Sequence, residues 1–159
     1  MDPSIVEPVL HVVLDRPAIA GNIGACVRLC AATGAALHVC GTAVAAGDRD
    51  MWRAGLDYWP EARVHFHRSL ARCLELVAKT PWLIEVGGAM APWDAPLLRG
   101  DVVVLGPEKG SVDEALVTAH RDRVLTLPMV AGRSLNLAQC AAVVVFDAVR
   151  RCSPTGTRG

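Results

Sequence analysis

The sequence lacks the signals by which several large classes of protein are recognised. No apolar run approaches the roughly 20 residues that span a bilayer, so a helical membrane anchor is not expected. The opening stretch, MDPSIVEPVLHVVLD, is acidic and has no basic segment ahead of its apolar part, which is not the pattern of a secretory leader. Among the six cysteines (26, 30, 40, 73, 140 and 152) no CxxC pair occurs, and most lie inside apolar segments. They read as reduced, buried small hydrophobes, which points to the cytoplasm and gives no spacing for a metal site. The 16 basic residues are balanced by 16 acidic ones, which argues against an indiscriminate polyanion binder but leaves room for a local basic patch. The usual nucleotide fingerprints are missing as well. GNIGAC lacks the glycine spacing of a dinucleotide turn, and GPEKGS has no Gly-Lys-Ser/Thr opening the next helix, so a standard NAD or ATP site is not expected. With no repeat, low-complexity tract or linker, the 159 residues read as one domain, 1–159, with 152–159 expected to be a mobile tail.

What is present is apolar surface in short, regular blocks. Hydrophobic residues make up 52% of the chain, enough for an ample core and an apolar interface with a second copy. VLHVVLD (9–15), ALHVCG (36–41), RVHFH (63–67), WLIEV (82–86), DVVVLG (101–106) and RVLTLP (123–128) read as strands. Between them, Ile23, Cys26, Val27, Cys30 and Ala31 trace one helical face, with Asn22 placed as its N-cap and Gly34 as its stop. A helical turn is expected around RDMWRAGL. SLARCLELVAK (69–79) reads as an amphipathic helix capped by Ser69. SVDEALVTA (111–119) carries a capping-box pattern, Ser111 with Glu114. A long helix runs from Leu137 to about Arg151, apolar as far as Val149 except at Gln139 and Asp147, and is preceded by Arg133, Ser134 and Asn136. Strand and helix alternate throughout and the strands are solid apolar runs. The fold class is therefore α/β, a mostly parallel sheet with helices on both faces.

In such sheets ligands bind beyond the carboxyl ends of the strands, so the candidates are RPAIAGN, GGAMAPW, GPEKGS and MVAGRSLN. Arg28 lies one turn beyond Gly24, which leaves space for something to approach. It is either a solvated surface arginine or an anion contact. Glu108 follows a Gly-Pro turn, where loop carboxylates are common. Ser134 and Asn136 either cap the last helix or face a ligand. His65 and His67 form an HxH pair on one side of a strand but are not expected to hold a metal. His11 and His38 read as core or edge histidines. The segment 49–72 carries Arg49, Arg53, Arg63, Arg68 and Arg72 against Asp50, Asp57 and Glu61, either an RNA-facing strip or a solvated face.

Taken together, NIGACVRLCAATG, VVVLGPEKGS and LTLPMVAGRSLNLAQCAAVVVFDAVR resemble, in this order, the motifs of the SPOUT-class RNA 2′-O-ribose methyltransferases. RAGLDYW (53–59) is similar to a signature of the TrmL-type branch, small tRNA (cytidine/uridine) 2′-O-methyltransferases acting on the wobble nucleotide. The resemblance covers about residues 9 to 151. It implies that the C-terminal part is tied in a deep trefoil knot, that S-adenosylmethionine is the cofactor, and that the partners are the tRNA anticodon loop and a second copy, a homodimer with each site completed by the other subunit. It implies no metal. Carried over residue by residue, it makes Asn22, Arg28, Glu108, Ser134 and Asn136 the catalytic set. The cofactor contacts fall near Val86, Gly106, Leu127, Met129, Ser134 and Asn136, and Val86, Leu105 and Leu127 offer the adenine an apolar slot. The alternatives within this reading are 2′-O-methylation of another tRNA or ribosomal RNA site, and a non-catalytic RNA- or cofactor-binding module.

Overall fold

The computed structural model describes residues 6–132 and 134–153. Arg133 and the segment 154–159 of the expected tail lie outside the described residues; Cys152 closes the last helix. Six strands, β1 (Leu10–Asp15), β2 (Ala36–Cys40), β3 (Arg63–His67), β4 (Trp82–Ile84), β5 (Asp101–Leu105) and β6 (Val124–Leu125), form one sheet in the order β3-β2-β1-β5-β4-β6. Every strand pairing is parallel. The helices are α1 (Ala20–Thr33), α2 (Arg49–Gly55), α3 (Leu70–Val77), α4 (Glu114–Ala119) and α5 (Leu137–Cys152).

Because side chains alternate across a strand, each strand buries residues on both faces. Leu10, Val12, Leu14, Leu37, Val39, Val103 and Leu105 face one cluster with Ile23, Cys26, Val27 and Cys30 of α1 and Ala141, Val144, Val145 and Ala148 of α5. Val13, Cys40, Val102, Val104 and Val124 face the other, with Cys73 of α3 and Val112 before α4. This is the helix-covered parallel sheet that the solid apolar strands predict. Burying each valine or leucine fully contributes about 1.5–3 kcal/mol before entropy is counted.

Three local expectations are corrected. Asn22 is not the cap of α1. Ile19 holds that position with no side-chain bond, and Asn22 sits buried inside the first turn. Its amide is used by partners from the far end of the chain, which no local pattern reveals. The Ser111/Glu114 capping box does not form. Asp113 caps α4 instead, accepting from Leu116 N at 3.1 Å, and the helix starts later than expected. The strands placed at 82–86 and 123–128 are shorter because their last residues turn away to line a cleft. Ser69, Gly34 and Asn136 do terminate helices as expected: Ser69 accepts from Arg72 N, Gly34 takes φ 75° and Asn136 accepts from Ala138 N and Gln139 N. Asp147 pairs with Arg150 and Arg151, and Arg151 also donates to the carbonyls of Pro92, Trp93 and Ala95, fastening the turn ahead of β5 to the last helix.

Candidate active site

The sheet order reverses between β1 and β5: β2 and β3 extend to one side, β4 and β6 to the other. Crevices form at the carboxyl ends of strands at such a switch point. A cleft of about 500 Å³ lies there, lined by residues that follow β4, β5 and β6 and by the start of α5. Its apolar wall includes Ile84, Leu105, Leu127 and Leu137, and Val86, Gly106, Met129 and Ser134 also line it. The volume and the mostly apolar lining suit a small organic ligand. Gly106 has to be glycine, since a Cβ there would stand 2.9 Å from Val112 N. The backbone therefore forms the cleft surface at that point.

Beside the cleft, three segments distant in sequence are joined by one polar relay. Asn136 Nδ2 donates to Asn22 Oδ1 at 3.0 Å, and Asn22 Nδ2 donates to Glu108 Oε1 at 3.2 Å. Glu108 then accepts from the backbone amides of Ala18 (2.8 Å) and Ile19 (2.9 Å). Asn136 Oδ1 meanwhile caps α5. Partial burial alone would raise the Glu108 pKa, but these hydrogen bonds to its charged form outweigh it and hold the carboxyl below its ordinary value. The structure thus brings together Asn22, Glu108 and Asn136 from the catalytic set, with Ser134 exposed at the mouth of the cleft.

Arg28 stands apart. It is exposed, and lies about 9 Å further along the axis of α1 than Asn22 at 1.5 Å per residue. Its guanidinium rests over the Tyr58 ring, 5.5 Å from the centroid. The space above Gly24 is also filled. A Cβ there would lie 2.2 Å from Met51 O and 2.7 Å from Ala54 Cβ, so the glycine seats α2 rather than a ligand. This accounts for most of RAGLDYW. Ala54 and Gly55 lie against Gly24, Gly55 leaves room for the Trp59 indole, and Tyr58 carries Arg28. The arginine strip is partly occupied: Arg63 donates to Val6 O and Gly34 O, while Arg53 and Arg72 pair with Asp50 and Glu75.

Two residues that sequence reasoning missed hold the cleft open. Glu85 accepts from Val112 N at 3.0 Å and from Val86 N at 2.9 Å, fixing the loop after β4 to the loop before α4. Thr126 Oγ1 donates to Glu85 O and accepts from Gly88 N, clasping the loops after β4 and β6. A carboxylate inside the apolar run WLIEV was the available signal.

Comparison with known proteins adds identity to this geometry. Residues 9–146 match the family model described as the SpoU rRNA Methylase family. A tRNA (cytidine(34)-2′-O)-methyltransferase of Burkholderia pseudomallei is 39% identical over 153 residues, covering 92% of this chain and 97% of that protein. One of Methylovorus glucosotrophus is 34% identical over 146 residues, covering 88% and 94%. Among solved structures, one described as giving structural insights into the 2-OH methylation of C/U34 on tRNA superposes with a TM-score of 0.82 at 33% identity, covering 89% of this chain and 95% of that one. The SpoU methyltransferase AviRb from Streptomyces viridochromogenes, in complex with the cofactor AdoMet, gives 0.79 at 26% identity, covering 92% of this chain and 62% of that one.

Proposed function

This chain belongs to the SpoU rRNA methylase family and is a tRNA 2′-O-methyltransferase, and from that premise we propose that it methylates the ribose of the wobble nucleotide, position 34, using S-adenosylmethionine. The observation that carries the reading is the apolar cleft at the strand ends with the Asn136–Asn22–Glu108 relay on its rim. The cleft fits the cofactor. Leu105 and Leu127 offer the adenine an apolar slot, and Gly106 exposes backbone where a polar contact is needed. When bound, S-adenosylmethionine supplies an electrophilic methyl on a sulfonium.

The chain's own residues do the rest. The backbone near Val86, Gly106, Leu127 and Met129 holds the donor, and Ser134 meets the ribose at the mouth. Asn22 and Asn136 keep the loops around the cleft in register, and Glu108 pins the loop after β1. Fixing a hydroxyl in line with its target contributes several kcal/mol through orientation alone. Arg28 binds the neighbouring phosphate and stabilises the alkoxide that develops on the ribose oxygen. A guanidinium with a pKa above about 12 does not serve as the base.

Arg28 does not reach the cleft of its own chain, so the second copy supplies it. Trp52 of α2, Leu56 just after it, and Val143 and Phe146 of α5 are exposed, and both helices pack against α1, which carries Arg28; exposed apolar side chains there suit a dimer face. The finer fold reading, a C-terminal trefoil knot formed by the segments after β5, rests on family membership. It is supported by the way the loops after β4, β5 and β6 gather around one cleft. No helix among the described residues is long and apolar enough to cross a membrane, and a tRNA substrate supports a cytoplasmic location.

Incubation of unmodified total tRNA with methyl-labelled donor, followed by nucleoside mass spectrometry and mapping, tests the target: label at position 34 is expected, and label confined to another tRNA site or to ribosomal RNA overturns it. Arg28→Ala is expected to abolish transfer and leave donor affinity nearly intact. Activity within about tenfold of wild type, roughly 1.4 kcal/mol of barrier, removes Arg28 from the reaction.

A further inference from the structure

The α3 side of the sheet, away from the α1/α5 layer, carries a cluster that methyl transfer does not use. The register of three parallel strands builds it. His38 lies opposite His65, Cys40 opposite His67, and His11 two residues before Val13, the partner of His38. Side chains two apart share a face, so His11, His38, Cys40, His65 and His67 gather on one surface, and α3 lays Cys73 over it. His38 is 5% exposed and Cys73 is fully buried. The imidazoles contact one another in a row: His11 Nδ1 is 3.0 Å from His38 Nε2, and His38 Nδ1 is 2.9 Å from His67 Nε2. Burial is the main reason the His38 pKa falls to about 3, so its ring is neutral.

We propose that His38, His67 and Cys73 form a binding site for a thiophilic divalent cation, with zinc(II) as the reference ion. One ligand atom from each of the three lies within 4.8 Å of the other two. A tetrahedral zinc ion, with bonds of about 2.0–2.1 Å to nitrogen and about 2.3 Å to sulfur, wants its ligand atoms a little over 3 Å apart. The 2.9 Å between His38 Nδ1 and His67 Nε2 opens to that separation with a shift of the half-exposed His67 ring on the edge strand. The surroundings suit the ligands. With Nδ1 on the metal, His38 keeps its proton on Nε2 and donates it to His11 Nδ1, the outer hydrogen bond that orients metal-bound histidines. Cys40 is buried in the same cluster as Cys73. Binding releases the Cys73 thiol proton, and neutral His38 and His67 ligate without further proton loss. The site ties edge strand β3 and helix α3 to β2, and a solvent molecule takes the fourth position. Its ligands come from three separate elements, so no spaced motif announces them.

Full-length protein stripped with a chelator and titrated with cobalt(II) tests this. One equivalent should bind with a near-ultraviolet thiolate-to-cobalt band and the visible bands of tetrahedral cobalt, all displaced by zinc(II). Cys73→Ser should lose the thiolate band, and both it and His67→Asn should weaken zinc affinity about tenfold or more, while His65→Asn stays within about twofold. His67 is half-exposed at the sheet edge, so His67→Asn keeps the test open should Cys73→Ser fail to fold. A wild-type protein that gives no thiolate band, or zinc affinity lost in His65→Asn and kept in both other variants, overturns the site.

Discussion

Asn22 shows how far one side chain can be misread from its neighbours. Its position before an apolar helical face marks it as a cap, yet its two amide ends reach Glu108 and Asn136, 86 and 114 residues away. Glu108 looked like an ordinary loop carboxylate, and its role is visible only once the loops after β1 and β5 meet. Because hydrogen bonds keep its folded pKa below the ordinary value near 4.5, the stability it contributes is present above that value and is lost as pH falls through the lowered one. Glu108→Gln should therefore cost about 1 kcal/mol at neutral pH, a figure already discounted for the solvent around the carboxylate. Thermal melts from pH 7 down to about 3 should show the two proteins converging in acid. A constant gap at all pH values would mean that the loss is one of packing and not of charge.

At the level of elements, the contact between α1 and α2 is the tightest backbone approach near the site. Gly24→Ala places a methyl against Met51 O and Ala54 Cβ, and α2 must move. A loss of about 1–3 kcal/mol is expected for such overpacking, measured as a lower urea midpoint, together with weaker tRNA methylation, because Tyr58 and Arg28 lie next to the displaced segment. Unchanged stability would show that the two helices separate freely. The same elements mark what was legible in the sequence. The parallel sheet followed from solid β-branched runs, and α5 from its apolar length and its Asn136 cap. Asp113 in place of Ser111 at α4, and the early ends of β4 and β6, depend on where neighbouring loops pack, which local periodicity does not encode. The cleft residues Val86, Gly106, Leu127, Met129 and Ser134 were found through family resemblance. Glu85 and Thr126 were missed because their partners are backbone groups of other loops. The histidine cluster was hidden because HxH on β3 gains its neighbours only through the β2–β3 register.

On the scale of the whole molecule, the separation of Arg28 from its own cleft has a direct test. Arg28→Ala and Asn136→Ala should each be inactive alone. If Arg28 serves the second copy, a mixed and re-equilibrated sample pairs an intact cleft with an intact arginine in one of two sites of each heterodimer, and about a quarter of wild-type activity returns. No recovery despite confirmed subunit exchange would place Arg28 in the site of its own chain.

The hydrogen bond between Asn136 and Asn22 also sets an order of events during synthesis. Its donor leaves the ribosome more than a hundred residues after its acceptor, so β1 to β3 can pair while the rim of the cleft still lacks its closing segment. A nascent polypeptide stalled ahead of α5 carries Arg28 and the arginines of 49–72 but no finished pocket. Catalytic competence arrives with the final helix, and it arrives late.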